Sequence, residues 1–208
     1  MSEKKLITLS SLFLILVFSI LLLFHNRPKT YTLNVENQFT YGKINAPVHM
    51  ILFEEFACPA CQTLNTDVLP HIEKEFLSSG KIKITIVPLA FLEDSLPACT
   101  LTLCIQKMAQ DHMKPFYDFL FKLPKDDLIT FSFRDFVSAY IEEDSALPAP
   151  QILQALREDS FADAIEYNIA LAKKIYPGDL HLPIILINGK LIKNADLKII
   201  TKAINEAL

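Results

Sequence analysis

The chain has 208 residues, of which 51% are hydrophobic, and its 20 basic and 24 acidic side chains give a formal charge of −4. The first 29 residues hold four of the basic and one of the acidic groups, so residues 30 to 208 carry 16 against 23, a charge of −7. That balance leaves no basic footprint for nucleic acid, and the four glycines (Gly42, Gly80, Gly178 and Gly189) form no phosphate-cradling loop. Neither nucleic-acid binding nor a nucleotide cofactor is implied.

Leu6 to Phe24 is a run of 19 residues without a charge, preceded by Lys4 and Lys5. One membrane span needs about 20 apolar residues, whereas a cleavable signal has a core of roughly 7 to 15 followed by small residues. Phe24-His25-Asn26-Arg27-Pro28 follows here, with no Ala-x-Ala. An uncleaved anchor at residues 6–24, within an N-terminal segment 1–28, is therefore expected, with a soluble periplasmic protein as the outcome if the segment is cleaved. Lys4 and Lys5 argue for a cytoplasmic N-terminus, although Arg27 and Lys29 weaken the asymmetry. The remaining residues, about 180, suffice for one well-packed domain or a domain with an insertion. They would face an oxidising, extracytoplasmic space, where an even count of four cysteines fits one catalytic and one structural pair.

Tyr31 to Val35 reads as a short extended segment and Val48 to Phe53 as a buried strand, both expected in one small sheet with Ile82 to Val87 and a late strand. Cys58-Pro59-Ala60-Cys61 follows, just before a helical pattern from Gln62 to Leu77. Two thiols are thus presented where a strand gives way to a helix. The helix N-terminus carries unsatisfied N–H groups and roughly half a positive charge, which favours a thiolate at Cys58. Cys61, one helical turn on, is within reach to resolve a mixed disulfide. Half of a zinc site and an inert disulfide are the alternatives for such a pair. Zinc needs two more ligands, and Cys99, Cys104, His112 and His181 lie in no ligand-like spacing, so no metal is expected.

Pro70 should kink the helix after the cysteines. Ile82 to Val87 alternates as a strand ended by Pro88, and Leu96 to Tyr176 carries only helical spacings, at Leu101–Met108, Phe116–Phe121, Phe133–Ile141 and Ile152–Ile175. Leu182 to Ile187 reads as a strand, Asn188-Gly189 as a turn, Leu191-Ile192 as a short strand, and Ala195 to Leu208 as a closing helix. Cys99 and Cys104 open the helical block. In a regular helix, positions five apart are about 8 to 9 Å apart at Cα, beyond the roughly 7 Å a disulfide spans. A non-helical turn at Cys99 would remove the conflict, and a structural bridge is expected on that condition. Two buried thiols or a second redox pair are the alternatives. His49 and His71 read as packing or surface residues, and the Phe-rich stretch 116–136 as core.

The order strand, helix, strand, helical block, hairpin, helix, with Cys58-x-x-Cys61 at the first strand's end, resembles a thioredoxin fold interrupted by a helical domain, the architecture of the DsbA family. The resemblance spans about residues 39 to 208. It rests on Tyr41 to Val48 running into Phe53-Glu54-Glu55-Phe56-Ala57-Cys58-Pro59-Ala60-Cys61, on the aromatic helix Phe116-Tyr117-Asp118-Phe119-Leu120-Phe121, and on Leu182-Pro183-Ile184 with Asn188-Gly189. It implies an α/β thioredoxin-like fold in two parts, residues 30–94 and 177–208, around an inserted helical domain at 95–176. It implies a cis Pro183, with the Leu182 backbone pairing an extended client peptide beside Pro59 and Ala60. An ordinary trans proline opening a strand is the minor alternative for Pro183.

Many relatives carry a buried acid six residues before the first cysteine, where this chain has Leu52. Glu54 or Glu55 could replace that proton relay, and both could equally be solvated. Ala60 lacks the ring donor that a histidine would offer the thiolate, so a moderately weak oxidant is expected. Leu182 is bulkier than the Val or Thr common there. The implied activity is thiol:disulfide oxidoreduction on cysteine-containing exported proteins, with no cofactor. A quinone-linked membrane partner of the DsbB type would re-oxidise an oxidase, and an electron-supplying membrane protein would keep a reductase or isomerase reduced. No dimerisation segment precedes the catalytic part, so a monomer is expected. A metal-binding protein using the same cysteines without turnover is the binding-class rival.

Overall fold

Val48–Glu54 (β2) has six fully or nearly fully buried residues of seven, because it is central in a five-stranded sheet and covered on both faces. The computed structural model describes residues 16–18, 29–91, 95–141, 144–158 and 161–208. Tyr31–Leu208 forms one compact unit. The expected anchor at residues 6–24 lies outside the described residues apart from the helical residues 16–18. Among the described residues no helix is long and apolar enough to cross a membrane.

Phe39–Gly42 (β1), β2, Ile82–Pro88 (β3), Ile184–Ile187 (β4) and Lys190–Ile192 (β5) assemble in the order β1-β3-β2-β4-β5. β2 and β3 run parallel, and the other three pairings are antiparallel. The outer strand beyond β3 is therefore Phe39–Gly42. Tyr31 to Val35, expected to be extended, forms no strand of this sheet; Tyr31, Leu33 and Val35 pack on one sheet face, and Tyr31 N–H donates to the Gly189 carbonyl at 2.8 Å. Gly42 closes β1 at φ +101, where an added Cβ would stand 2.6 Å from Leu77 Cδ1 and 3.0 Å from the Ile82 carbonyl oxygen. Asn188 and Gly189, both at positive φ, turn β4 into β5, and Asn188 Oδ1 ties the turn to β2 by accepting from His49 N–H at 2.7 Å.

The helix after the cysteines, α1, runs from Pro59 to Leu77. It alternates α-helical Pro59–Thr63 and Leu69–Ile72 with π-helical Leu64–Val68 and Glu73–Leu77. Pro70 sits at the start of the second α-helical piece, so its missing N–H falls where the hydrogen-bond register changes. Among the described residues of 95–176 the elements are all helical: Leu96–Met108 (α2), Met113–Lys122 (α3), Lys125–Thr130 (α4), Phe133–Ile141 (α5), Ala149–Glu158 (α6) and Ala162–Ile175 (α7), with a 3-10 turn at Gln110–His112. The single stretch expected over 152–175 is divided, because Phe161 adopts a left-handed φ of 55 and breaks the helical path before α7. Leu197–Ala207 (α8) closes the chain, with Asp196 Oδ1 capping its first turn by accepting from Lys198 and Ile199 N–H at 2.8 and 3.3 Å.

Alternation along β2 divides the core. Met50 and Leu52 face α1, α8 and the helical block, together with Cys61, Leu64, Leu69, Ile200 and Ile204. Ile51 and Phe53 face α7 with Val87, Leu89, Leu171, Ile175 and Leu186. Each of these side chains contributes about 1.5–3 kcal/mol by its burial. The stretch 116–136 is core, as expected: Phe116, Tyr117, Leu120, Phe121 and Phe136 are all at most 2% exposed.

Candidate active site

The site forms where β2 ends and α1 begins. Cys58 is the N-cap residue of α1, with extended φ/ψ of −82 and 118, and Pro59 takes the first helical position, where its missing N–H is not needed. Cys58 N–H donates to the Glu55 carbonyl at 3.1 Å, and the Cys58 carbonyl accepts from Gln62 N–H at 3.0 Å. Phe56, just before the cysteines, packs on Phe121 and Tyr117 of α3 at 5.1 and 5.7 Å between ring centroids, anchoring the loop to the helical block. Pro59 and Ala60 are exposed, Cys58 is half-buried and Cys61 is buried.

The two thiols are polarised against each other. The Cys61 thiol donates to the Cys58 sulfur, and backbone N–H groups of Cys61 and Ala60 also point at it, holding Cys58 down at about 6 against its partial burial. The same contact pushes Cys61 far up, with burial and the Glu54 charge adding to the effect. A half-buried, low-pKa thiol over a fully buried thiol of raised pKa is the arrangement that attacks a disulfide at one sulfur and keeps the second in reserve.

Neither acid at the end of β2 is solvated. Glu54 is 1% exposed; its Oε1 accepts from Asn65 Nδ2 at 2.6 Å, and its Oε2 accepts from the Tyr117 hydroxyl. Burial pushes its carboxyl up to about 8, against the lowering effect of those two donors. Leu52 and Glu54 point to the same face of β2, about 7 Å apart along the strand. A buried carboxyl thus stands one pleat beyond Leu52, on the same face of the strand. Glu55, 5% exposed, turns the other way, and its Oε1 accepts from Phe91 N–H at 3.1 Å. Asn65 and Tyr117 were not singled out in the sequence. The available signal was a tyrosine in an otherwise phenylalanine-rich buried helix, since a buried hydroxyl needs a partner.

The Leu182–Pro183 peptide is cis, and both residues are half-buried. β2 pairs with β4 at Phe53↔Ile184, and one further step of that register sets Pro183 opposite Glu54, at the end of the sheet where the cysteines lie. The expected Cys99–Cys104 bridge is corrected by the helix that contains both: α2 starts at Leu96, so Cys99 lies within a regular helix and the spacing of five keeps the sulfurs apart. Both are buried thiols; Cys104 Sγ donates to the Ile152 carbonyl at 3.7 Å, and burial, with the Glu55 charge second, pushes Cys99 well up. His71 is exposed, and the half-buried His49 ring bonds Thr85 Oγ1 at 2.7 Å, away from the thiols. Among the described residues no cluster of His, Cys, Asp or Glu could hold a metal ion.

Comparison with known proteins places this geometry. The family model described as Thioredoxin matches residues 34–206. Disulfide bond formation protein D of Bacillus subtilis is 26% identical over 177 residues, which cover 84% of this chain and 79% of that protein. The probable disulfide bond formation protein D of Bacillus cereus is 27% identical over 173 residues, covering 82% of this chain and 79% of that protein. The crystal structure of oxidised BdbD from Bacillus subtilis superposes with a TM-score of 0.76 at 26% identity, over 88% of this chain and 98% of that one. DsbA of Chlamydia trachomatis shares the fold, with a TM-score of 0.74 at 22% identity over 86% of this chain and 96% of that one. The chain therefore belongs to the thioredoxin family, as a DsbA-like thiol:disulfide oxidoreductase with a helical insertion in its α/β fold.

Proposed function

We propose that this protein forms and exchanges disulfides in exported, cysteine-containing proteins, with Cys58 as the nucleophile and Cys61 as the resolving thiol. The observation that carries the reading is the polarised pair: Cys58 held at about 6 by the Cys61 thiol and two backbone N–H groups, over a buried Cys61. In the oxidising direction a client thiolate attacks Cys58 Sγ of the Cys58–Cys61 disulfide, and Cys61 leaves and takes up a proton. A second client thiolate attacks its own mixed-disulfide sulfur, the client disulfide forms, and Cys58 departs as a thiolate. A low pKa makes Cys58 a good leaving group, which drives this direction. Glu54 supplies the proton to Cys61 and takes it back when the pair is re-oxidised. Glu55, buried with its carboxyl on Phe91 N–H, is the weaker choice for that role.

Leu182 and Pro183 would offer the client an extended edge beside the thiols, with the exposed Pro59 and Ala60 forming the contact surface. Residues 95–176 would act as the inserted domain, residues 6–24 as the anchor in the cytoplasmic membrane, and a membrane protein of the DsbB type as the re-oxidant. The names of the Bacillus relatives support disulfide formation. With Ala60 offering no side-chain donor, the protein would be a moderately weak oxidant. The test is the reduction potential of Cys58–Cys61, equilibrated in glutathione buffers and read by alkylation and mass spectrometry. A value of about −120 to −200 mV supports the oxidase, and one near −270 mV supports a reductase or isomerase kept reduced by an electron-supplying membrane partner. Stoichiometric zinc or copper with no dithiol cycling would overturn the catalytic reading.

A further inference from the structure

The Tyr117 hydroxyl comes from the helical block, 63 residues along the chain from the β2 carboxylate it bonds, and both groups are fully buried. The other carboxylate oxygen is held by Asn65, and the same Asn65 Nδ2 also donates to the Cys61 carbonyl at 2.9 Å. One amide thus ties Glu54 to the residue whose thiol must gain and lose a proton. Asn65 lies in the first π-helical turn of α1, directly after the cysteines, where π turns re-aim side chains at functional sites. It also lines a cavity of about 470 Å³ between α1 and α3, bordered by Glu73, Lys114 and Asp118. A proton on Glu54 is therefore one side chain away from water.

We propose that Tyr117 is a positioning residue for the thiol–disulfide reaction: its hydroxyl, with Asn65, holds the Glu54 carboxyl toward Cys61 and sets the pH at which that carboxyl can accept the Cys61 proton. The inference rests on the reading of Glu54 as the relay. When Cys58 carries a mixed disulfide, Glu54 takes the Cys61 proton, the Cys61 thiolate attacks Cys58 Sγ, the Cys58–Cys61 bond forms, and the departing thiolate keeps the electron pair of the broken bond. A hydroxyl donor favours the carboxylate over the carboxylic acid, so removing it delays the basic form to higher pH.

The experiment uses the full chain in detergent, reduced and mixed with oxidised glutathione. Quench, alkylation and mass spectrometry follow formation and decay of the Cys58–glutathione adduct from pH 5 to 10. Tyr117→Phe should raise the midpoint of adduct decay by about one pH unit, with adduct formation unchanged. Tyr140→Phe, which removes a buried hydroxyl bonded instead to Asp144, should leave the midpoint in place. An unmoved midpoint in Tyr117→Phe, with the pH-dependent limb lost in Glu54→Gln, overturns the role of Tyr117 and keeps the relay. An unchanged limb in Glu54→Gln overturns the relay itself. Equal shifts in both tyrosine variants reduce the effect to packing and also refute the proposal. If Tyr117→Phe does not fold, 3-fluorotyrosine placed at position 117, a stronger donor of nearly the same size, should lower the midpoint, and no change would overturn the idea.

Discussion

Glu54→Gln should make the reduced protein more stable at neutral pH, although it removes a group of the site. The carboxyl has an ordinary value of 4.5 and burial raises it to about 8. A group raised on folding contributes its full stability below 4.5 and loses it as pH rises through 8, because the folded state must hold the proton that the unfolded chain releases. Across that window the loss is about 1.4 kcal/mol per pH unit, reaching about 3 kcal/mol at pH 7. Glutamine keeps the shape and one acceptor but places an amide N–H₂ against one of the two donors, Asn65 or Tyr117, at a cost of about 1–2 kcal/mol. The net gain at pH 7 is then about 1–2 kcal/mol, or roughly 2–8 °C in Tm for a unit of this size. At pH 4.5 the variant should be the less stable protein. Urea unfolding of both reduced proteins from pH 4.5 to 8 measures the difference. A stability gap that does not change sign or grow with pH would refute the assignment of a buried, raised carboxyl.

Iodoacetamide should alkylate Cys58 with a midpoint near pH 6, while Cys61 and Cys99 stay unmodified at pH 7 until the chain is denatured, as peptide mass spectrometry would read. Alkylation of Cys61 alongside Cys58 would contradict the polarised pair. Asp196→Ala removes the cap of α8 and should destabilise the unit by about 1 kcal/mol, lowering Tm by roughly 2–4 °C without changing the alkylation profile of Cys58, a point that calorimetry and the same alkylation assay check together.

The placement of Cys58 and Cys61 was legible because it is set locally. A Cys-x-x-Cys after an apolar strand and before a helical pattern fixes the N-cap, the first-turn proline and the one-turn spacing, and nothing distant is needed to orient Cys58 toward the helix N–H groups. The strands Val48–Phe53 and Ile82–Val87 and the Asn188-Gly189 turn were legible for the same reason: period, β-branching and positive-φ residues act within a few positions. Tyr31–Val35 misled, since an extended apolar segment can pack on a sheet face as readily as pair at its edge. The choice went to Phe39–Gly42, where a glycine lets the strand end close against Leu77 and β3.

The fate of Cys99 and Cys104 turned on where α2 begins, a boundary that apolar spacing does not fix to within a turn. One turn decides whether a spacing of five can be bridged. By itself the sequence determined the fold class and the two thiols presented where a strand gives way to a helix. The tertiary structure alone decided which polar groups surround the buried Cys61. Glu54 is an ordinary acid at a strand's end until the helical block brings Tyr117 against it and the π turn brings Asn65. Only that burial, assembled from residues 11 and 63 positions away, turns it into a carboxyl that holds its proton near neutral pH.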